Sequence, residues 1–295
     1  MVYNHVGPSS ALVTEKPEWF HPTGDIVDWS DPVERRTHRV HGLPDLNQDH
    51  PEVFQYLTDV TQSWLEKTGA DGIRIDAIGH MEPRFVASLQ SELRERGHET
   101  WVLGEDFQGD PVALEETAQA AKLEAIYDFP LYYAMTDTLC GGQPMGRLAS
   151  TLSMDRVYTS GVERITFLDN HDLPRITSKC SETLGADRLA LHLLFSLRGT
   201  PSLTYGTEAR LQGHEEPANR GDMPWDQAMP LAAEIRALQD FRSQGPRQTR
   251  DRILWLSEES MLLLREGSQR SLLVLLHLGD EALTIDWPDA LDAHT

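Results

Sequence analysis

GIRIDAIGH, residues Gly72 to His80, is the stretch on which the fold turns. GIRI reads as a short strand, and an acid, Asp76, follows it directly. On its N-terminal side, PEVFQYLTDVTQSWLEK (Pro51 to Lys67) carries Val53, Tyr56, Leu57, Val60 and Trp64 at helical spacing, and Gly69 supplies a C-terminal stop. On its C-terminal side, Glu82 to Arg96 is again helical. WVLG (Trp101 to Gly104) is the next strand, and it too ends on an acid, Glu105.

The alternation continues outward. Pro111 to Ala121 is helical, AIYDF a strand, and Met145 to Leu152 a weaker helix. RITFLD is a strand, Asp187 to Leu197 a helix, PSLTY a strand, and Leu231 to Phe241 the last clear helix. Strand–helix repeats with largely apolar strands predict an α/β fold with a parallel sheet covered on both faces, its strands near 73, 102, 126, 166 and 203. Residues 6–47, rich in Pro, Gly, Asp and Trp, read as a long excursion. From about 252 the pattern changes. ILWLS, MLLLR, SLLVLLHL and ALTIDW, separated by polar turns, predict an antiparallel β appendage after a boundary near GPRQTRD.

Acids outnumber bases 47 to 26, for a net charge of −21. Nucleic acid and anionic lipid, which need a basic footprint, are therefore disfavoured partners. With 39% apolar and 25% charged residues, a packed core is feasible. No stretch approaches the ~20 apolar residues of a membrane span. MVYNHVGPSS has neither the charged nor the apolar region of a signal peptide, which points to the cytoplasm. Cys140 and Cys180 match no metal-ligand spacing and are expected as buried free thiols.

Three acids stand at strand ends: Asp76 after GIRI, Glu105 after WVLG, and Asp172 after RITFLDNH. In parallel α/β sheets the ligand site lies at the carboxyl ends of the strands, so acids distant in sequence can meet in one pocket. Arg74, two residues before Asp76, lies on the same side of its strand. An Arg beside an Asp favours the ionised form that a nucleophile needs. A less compensated carboxyl keeps its proton and can serve as a general acid. That division of labour is the requirement of glycoside hydrolysis. Taken singly, each acid could equally cap a helix or pair with a surface arginine.

GIRIDAIGH, LGED (Leu103 to Asp106) and FLDNHD (Phe167 to Asp172) together resemble the three acid-bearing segments of the α-amylase family of retaining glycoside hydrolases. VYNH (Val2 to His5) resembles the segment closing the third barrel strand. LPDLN (Leu43 to Asn47) resembles a segment near the end of the loop domain, and GTPSLTYGTE (Gly199 to Glu208) the eighth strand and its loop. The resemblance implies Asp76 as nucleophile, Glu105 as general acid and then base, and Asp172 as a stabiliser gripping sugar hydroxyls. Arg74 would orient and ionise Asp76, while His5, His80 and His171 would bind hydroxyls around the cleaved sugar. Ordinary packing is the alternative for each histidine. Among Trp19, Phe20, Trp29, Phe107, Tyr132, Tyr133 and Trp225, each a possible sugar platform or core residue, Trp225 in NRGDMPWD is favoured as substrate-binding. Asn4 matches a position that helps bind a structural Ca2+ in some relatives; no catalytic cofactor is implied.

The implied fold is a partial (β/α)8 barrel, from about the end of strand 3 to helix 8, followed by an antiparallel β domain. Its expected parts are residues 1–5 (end of strand 3), 6–47 (loop domain), 48–246 (rest of the barrel) and 247–295 (an incomplete C-terminal β domain). The family's first segment carries an Asp that would fall one position before Met1, and two strand–helix units are missing. A fragment or mis-started reading frame of a longer enzyme is expected, with a truncated relative completed by another chain as the alternative. The implied substrates are maltooligosaccharides or other α-glucans. Ala77, a small residue after the nucleophile, favours α-1,4 bonds, and Gly79 stands where many α-amylases have Lys. Transglycosylation, interconversion of trehalose and maltose, and a non-catalytic carbohydrate-binding role remain alternatives.

Overall fold

Four helices open on the same device, a capping side chain followed by proline in the first turn. Asp31 accepts from the Val33 N–H, His50 from Glu52, Asp110 from Val112 and Asp128 from Leu131. Proline costs nothing there, because a first-turn N–H has no helical partner to lose. The computed structural model describes residues 1–158, 161–246 and 250–284, with Arg250 in backbone only. They form two compact units, Met1–Tyr127 with Val157–Glu163, and Asp128–Arg156 with the residues from Arg164 onward.

In the first unit, the excursion holds two short helices, α1 (Leu12–Glu15) and α2 (Pro32–Thr37). The regular units are α3 (Pro51–Thr68), β1 (Gly72–Ile75), α4 (Pro83–Glu95), β2 (Trp101–Gly104), α5 (Pro111–Ala120) and β3 (Ala125–Tyr127). Gly69 ends α3 in the left-handed region at φ 66°, where a Cβ would be strained. β1 pairs with β2 and β2 with β3, all parallel. Val2 forms a parallel bridge to Asp76 on the other side of β1. Ile75, Val86, Leu89, Leu93, Val102, Leu114 and Ile126 are fully buried in one cluster. At roughly 1.5–3 kcal/mol for each large apolar side chain removed from water, this cluster fastens the helices to the strands.

The second unit holds α6 (Phe129–Leu139), α7 (Gly146–Ser153), all of β4 (Glu163–Thr166) but its first residue, α8 (Ile176–Lys179), α9 (Ala186–Ser196), β5 (Thr200–Pro201) and α10 (Ala232–Gln244). β4 and β5 pair in parallel. After them β6 (Arg250–Leu256), β7 (Ser260–Glu266) and β8 (Ser271–His277) form an antiparallel sheet in the order β6-β7-β8. The expected run ALTIDW contributes no strand in its described part, Ala282–Thr284, and its last three residues lie outside the described ones.

Three expectations change. PSLTY is strand only at its start, because the chain turns once Thr204 Oγ1 donates to the Asp169 carbonyl at 2.9 Å. Helix α6 lies where the sequence predicts only a strand end. The Asp128 cap and Pro130 start it, and Tyr132 and Tyr133 are helical residues. Tyr132 is 3% exposed and stacks on Phe167, so it packs the core. Cys140 and Cys180 are joined in a disulfide, not free. They follow the last residues of α6 and α8, and this brings their Cα atoms within 4.5 Å across a separation of 40 residues that leaves no spacing signal. Among the described residues no helix is long and apolar enough to cross a membrane.

Candidate active site

The register of the first unit aligns its strand ends. Arg74 faces Leu103, Ile75 faces Gly104, Leu103 faces Ala125 and Gly104 faces Ile126. One residue further on, Asp76, Glu105 and Tyr127 stand level on three neighbouring strand ends. Arg74, two residues back from Asp76, shares its face. The guanidinium reaches both acids, Nη1 donating to Asp76 Oδ1 at 2.7 Å and Nη2 contacting Glu105 Oε1.

Burial works against the charge on Arg74, but Glu105 and Asp76 outweigh it and hold the guanidinium above the ordinary arginine value. The two acids differ in exposure. The Asp76 side chain is 25% exposed, whereas Glu105 is 2% exposed. Glu105 is thus buried but not uncompensated, since Arg74 touches it. Burial pushes the Tyr127 phenol up, with Arg74 opposing, so the group is a neutral hydroxyl.

Two expected histidines surround this centre. His5 Nδ1 lies 2.9 Å from Asn4 Oδ1, and burial pushes the ring below the ordinary imidazole value against the pull of Asp76. His80 Nδ1 lies 2.9 Å from the Arg35 carbonyl on α2. A carbonyl only accepts, so Nδ1 carries the proton and Nε2 is left as an acceptor. Burial lowers His80 as well, with the Arg35 carbonyl opposing. The Trp29 ring meets His80 edge-on at 5.9 Å. Gly79 has a neighbour that explains its lack of a side chain: a Cβ there would stand 2.5 Å from Asp106 Oδ1. Any residue larger than glycine, lysine included, has to displace Asp106.

Of the other aromatic candidates in this unit, Trp19 is buried and donates to Glu52 at 3.1 Å, while Trp29 and Phe107 are exposed. Asn4 is buried. Across the His5–Asp45 bridge, Asp45 holds His21 with Oδ2 at 2.7 Å, and its Oδ1 is buried with no hydrogen-bond partner. These are oxygens of the kind a hard cation takes. Among the described residues no group of three or more His, Cys, Asp or Glu could hold a metal.

Asp172 and His171 belong to the second unit. Asp172 Oδ1 accepts from Arg220 Nη2 at 2.7 Å, and Oδ2 lies 3.1 Å from His171 Nε2. The loop is fixed from beneath, where Asn219 Nδ2 and Arg220 Nε both donate to the His171 carbonyl at 2.9 Å. Asn170 Oδ1 accepts from the Asp172 N–H. Trp225 is 81% exposed. Sequence reading missed Tyr127 and Arg220. Tyr127 had a signal, because it holds the same place at the end of its strand as Asp76 and Glu105 do at theirs. Arg220 had only its place in NRGDMPWD.

A family model described as "Alpha amylase, catalytic domain" matches residues 36–261. The β/α-amylase of Paenibacillus polymyxa is 30% identical over 263 residues, which cover 83% of this chain and 21% of that protein. The cyclomaltodextrin glucanotransferase of Klebsiella oxytoca is 29% identical over 318 residues, covering 91% of this chain and 48% of that one. The crystal structure of an Anoxybacillus α-amylase superposes with a TM-score of 0.87 at 28% identity, covering 95% of this chain and 64% of that chain. The chain thus spans less than two thirds of each of these proteins.

Proposed function

The chain belongs to the α-amylase family of glycoside hydrolases, whose structures imply a (β/α)8 barrel, and on that premise we propose that it carries the retaining machinery for α-1,4-glucosidic bonds of maltooligosaccharides. The single observation that carries the reading is the guanidinium of Arg74 set between Asp76 and Glu105.

In this reading, Asp76 attacks the anomeric carbon as a carboxylate. The glycosidic C–O bond breaks, and Glu105 delivers its proton to the departing oxygen. Water then attacks the glycosyl-enzyme, Glu105 takes the proton back, and Asp76 leaves. The Arg74 contact orients Asp76. Neutral His80 offers Nε2 to a sugar hydroxyl, and His5 is placed to do the same. Asp172, steadied by Arg220 and His171 within the second unit, accepts sugar hydroxyls. Exposed Trp225 offers a ring face to a pyranose. A calcium ion, if bound, would be held by Asp45 and Asn4 as a structural ion and supplies no step.

The likeness to a cyclomaltodextrin glucanotransferase supports a second reading, in which a sugar hydroxyl takes the place of water at the same intermediate. Proton NMR of the first product formed from a maltooligosaccharide tests the proposal. The α-anomer is expected, and either an initial β-anomer or a chain that leaves the substrate intact contradicts it. Cyclic or lengthened products identify the second reading.

A further inference from the structure

Asp172 stands in a loop, and a carboxylate on a loop meets a ligand the same way each time only if its backbone is held. One side chain holds the peptide groups on both sides of it. Asn219 Nδ2 donates to the His171 carbonyl at 2.9 Å and to the Leu173 carbonyl at 3.2 Å. The carboxylate itself is held by the next residue, Arg220. Asn219 is buried, and its Oδ1 has no hydrogen-bond partner. A buried amide oxygen without a donor works against stability. Only the N–H side of this carboxamide is used, and both of its acceptors flank Asp172.

We propose that Asn219 is a positioning residue for Asp172: by pinning the carbonyls on either side, it fixes the direction in which the Asp172 carboxylate meets sugar hydroxyls. The mount is braced for the task. Asn219 lies in the short turn Ala218–Arg220. Gly213 packs so closely beneath this turn that a Cβ there would stand 2.4 Å from the Ala218 carbonyl and the Asn219 nitrogen. Gly213 is fastened in turn, its N–H donating to Ser178 Oγ and its carbonyl accepting from the Arg175 N–H, each at 2.9 Å. Past the end of the turn, the Tyr205 hydroxyl donates to the Gly221 carbonyl at 2.9 Å. Arg220 thus holds the charge of Asp172, and Asn219 holds its backbone. Asn219 touches no sugar in this scheme; it acts through Asp172. The inference rests on the reading of Asp172 as a sugar-binding residue.

The test is a double-mutant cycle on maltoheptaose binding, measured by calorimetry in the 295-residue chain carrying Asp76→Asn so that bound sugar is not consumed. Asn219→Ala is expected to weaken binding about tenfold where Asp172 is present and by less than about twofold in an Asp172→Ala background, the coupling of two residues in one hydrogen-bond network. An equal loss in both backgrounds assigns Asn219 to packing alone and overturns the proposal, as does no loss in either. Amide hydrogen exchange, read by NMR, supplies a measurement independent of sugar. In Asn219→Ala, exchange at Asp172 and Leu173 is expected to rise about tenfold while α9 keeps its protection. Unchanged exchange at these two amides, or a rise throughout the second unit, overturns the proposal. Asn219→Leu, which keeps the size and removes the donors, carries both comparisons should the alanine variant not fold. A chain that binds no maltoheptaose contradicts the sugar-site reading, and the exchange rates then decide the role of Asn219 alone. The inference can therefore fail while the glycosidase reading stands, and the reverse.

Discussion

Arg74 donates from Nη1 to Asp76 Oδ1 at 2.7 Å, and its second Nη meets Glu105. One planar fork thus serves two carboxylates that follow neighbouring strands. Lysine carries the same charge on one nitrogen and cannot reproduce the fixed spacing of the fork. In Arg74→Lys, the rate of covalent labelling by a mechanism-based glycosyl fluoride is expected to fall by about 10²-fold, the size of loss that small misplacement of a reacting group produces. A rate within a factor of about three of the parent, measured by intact mass over time, would mean that charge alone suffices.

His80 gives stability a pH dependence whose sign can be worked out. Burial holds its folded value below the ordinary 6.5, with the Arg35 carbonyl opposing. A group depressed on folding contributes stability above its unfolded value, and that stability is lost as pH falls through the lower, folded one. Denaturant unfolding below pH 6.5 should therefore show the parent losing stability faster than His80→Gln. Parallel curves for the two proteins would remove His80 from the account. His5 shifts in the same direction, so a variant lacking both rings should flatten the curve further.

Ala77, directly after Asp76, sits in the left-handed region at φ 49°, ψ 45°. An L-residue there costs about 1–2 kcal/mol, and a β-branched one more. Ala77→Val is expected to lower stability by a further ~1 kcal/mol or more, whereas Ala77→Gly should be neutral or slightly stabilising. Thermal unfolding checks the order. Val tolerated as well as Gly would show that the backbone is free to leave this conformation.

Asp45 Oδ1 is buried with no hydrogen-bond partner, while Oδ2 is held by His21. Asp45 and Asn4 together offer far fewer oxygens than the roughly six or more a calcium ion takes, so the melting temperature is expected to be the same with calcium as with a chelator. A rise with calcium that the chelator reverses and Asp45→Asn abolishes would contradict this and add a structural ion at Asp45.

The sequence showed the strand–helix alternation clearly, because α3, α4 and α5 each open on a proline, with a capping side chain before it in α3 and α5, and carry 3.6-residue periodicity within a single segment. The strand GIRI with Asp76 and the strand WVLG with Glu105 were equally local signals. What stayed hidden depended on contacts distant along the chain. The Cys140–Cys180 bridge joins two helix ends 40 residues apart. Helix α6 begins on FPLYY, whose aromatic residues read as readily as the end of a strand, and only packing against Phe167 decides the matter. Tyr127 was legible in principle, at the same offset as the two acids. A tyrosine at a strand end is ordinary core material, so its offset alone does not mark it. Arg220 reaches Asp172 across 48 residues, and no spacing rule announces such a pair.

The most direct test of Asp76 as the residue that bonds to sugar is trapping with a mechanism-based glycosyl fluoride, followed by mass spectrometry of the digested chain. The added mass is expected on the peptide containing GIRIDAIGH, at Asp76, and it should be absent from Asp76→Asn. Label on any other residue, or labelling unchanged by that substitution, would contradict the assignment of the nucleophile.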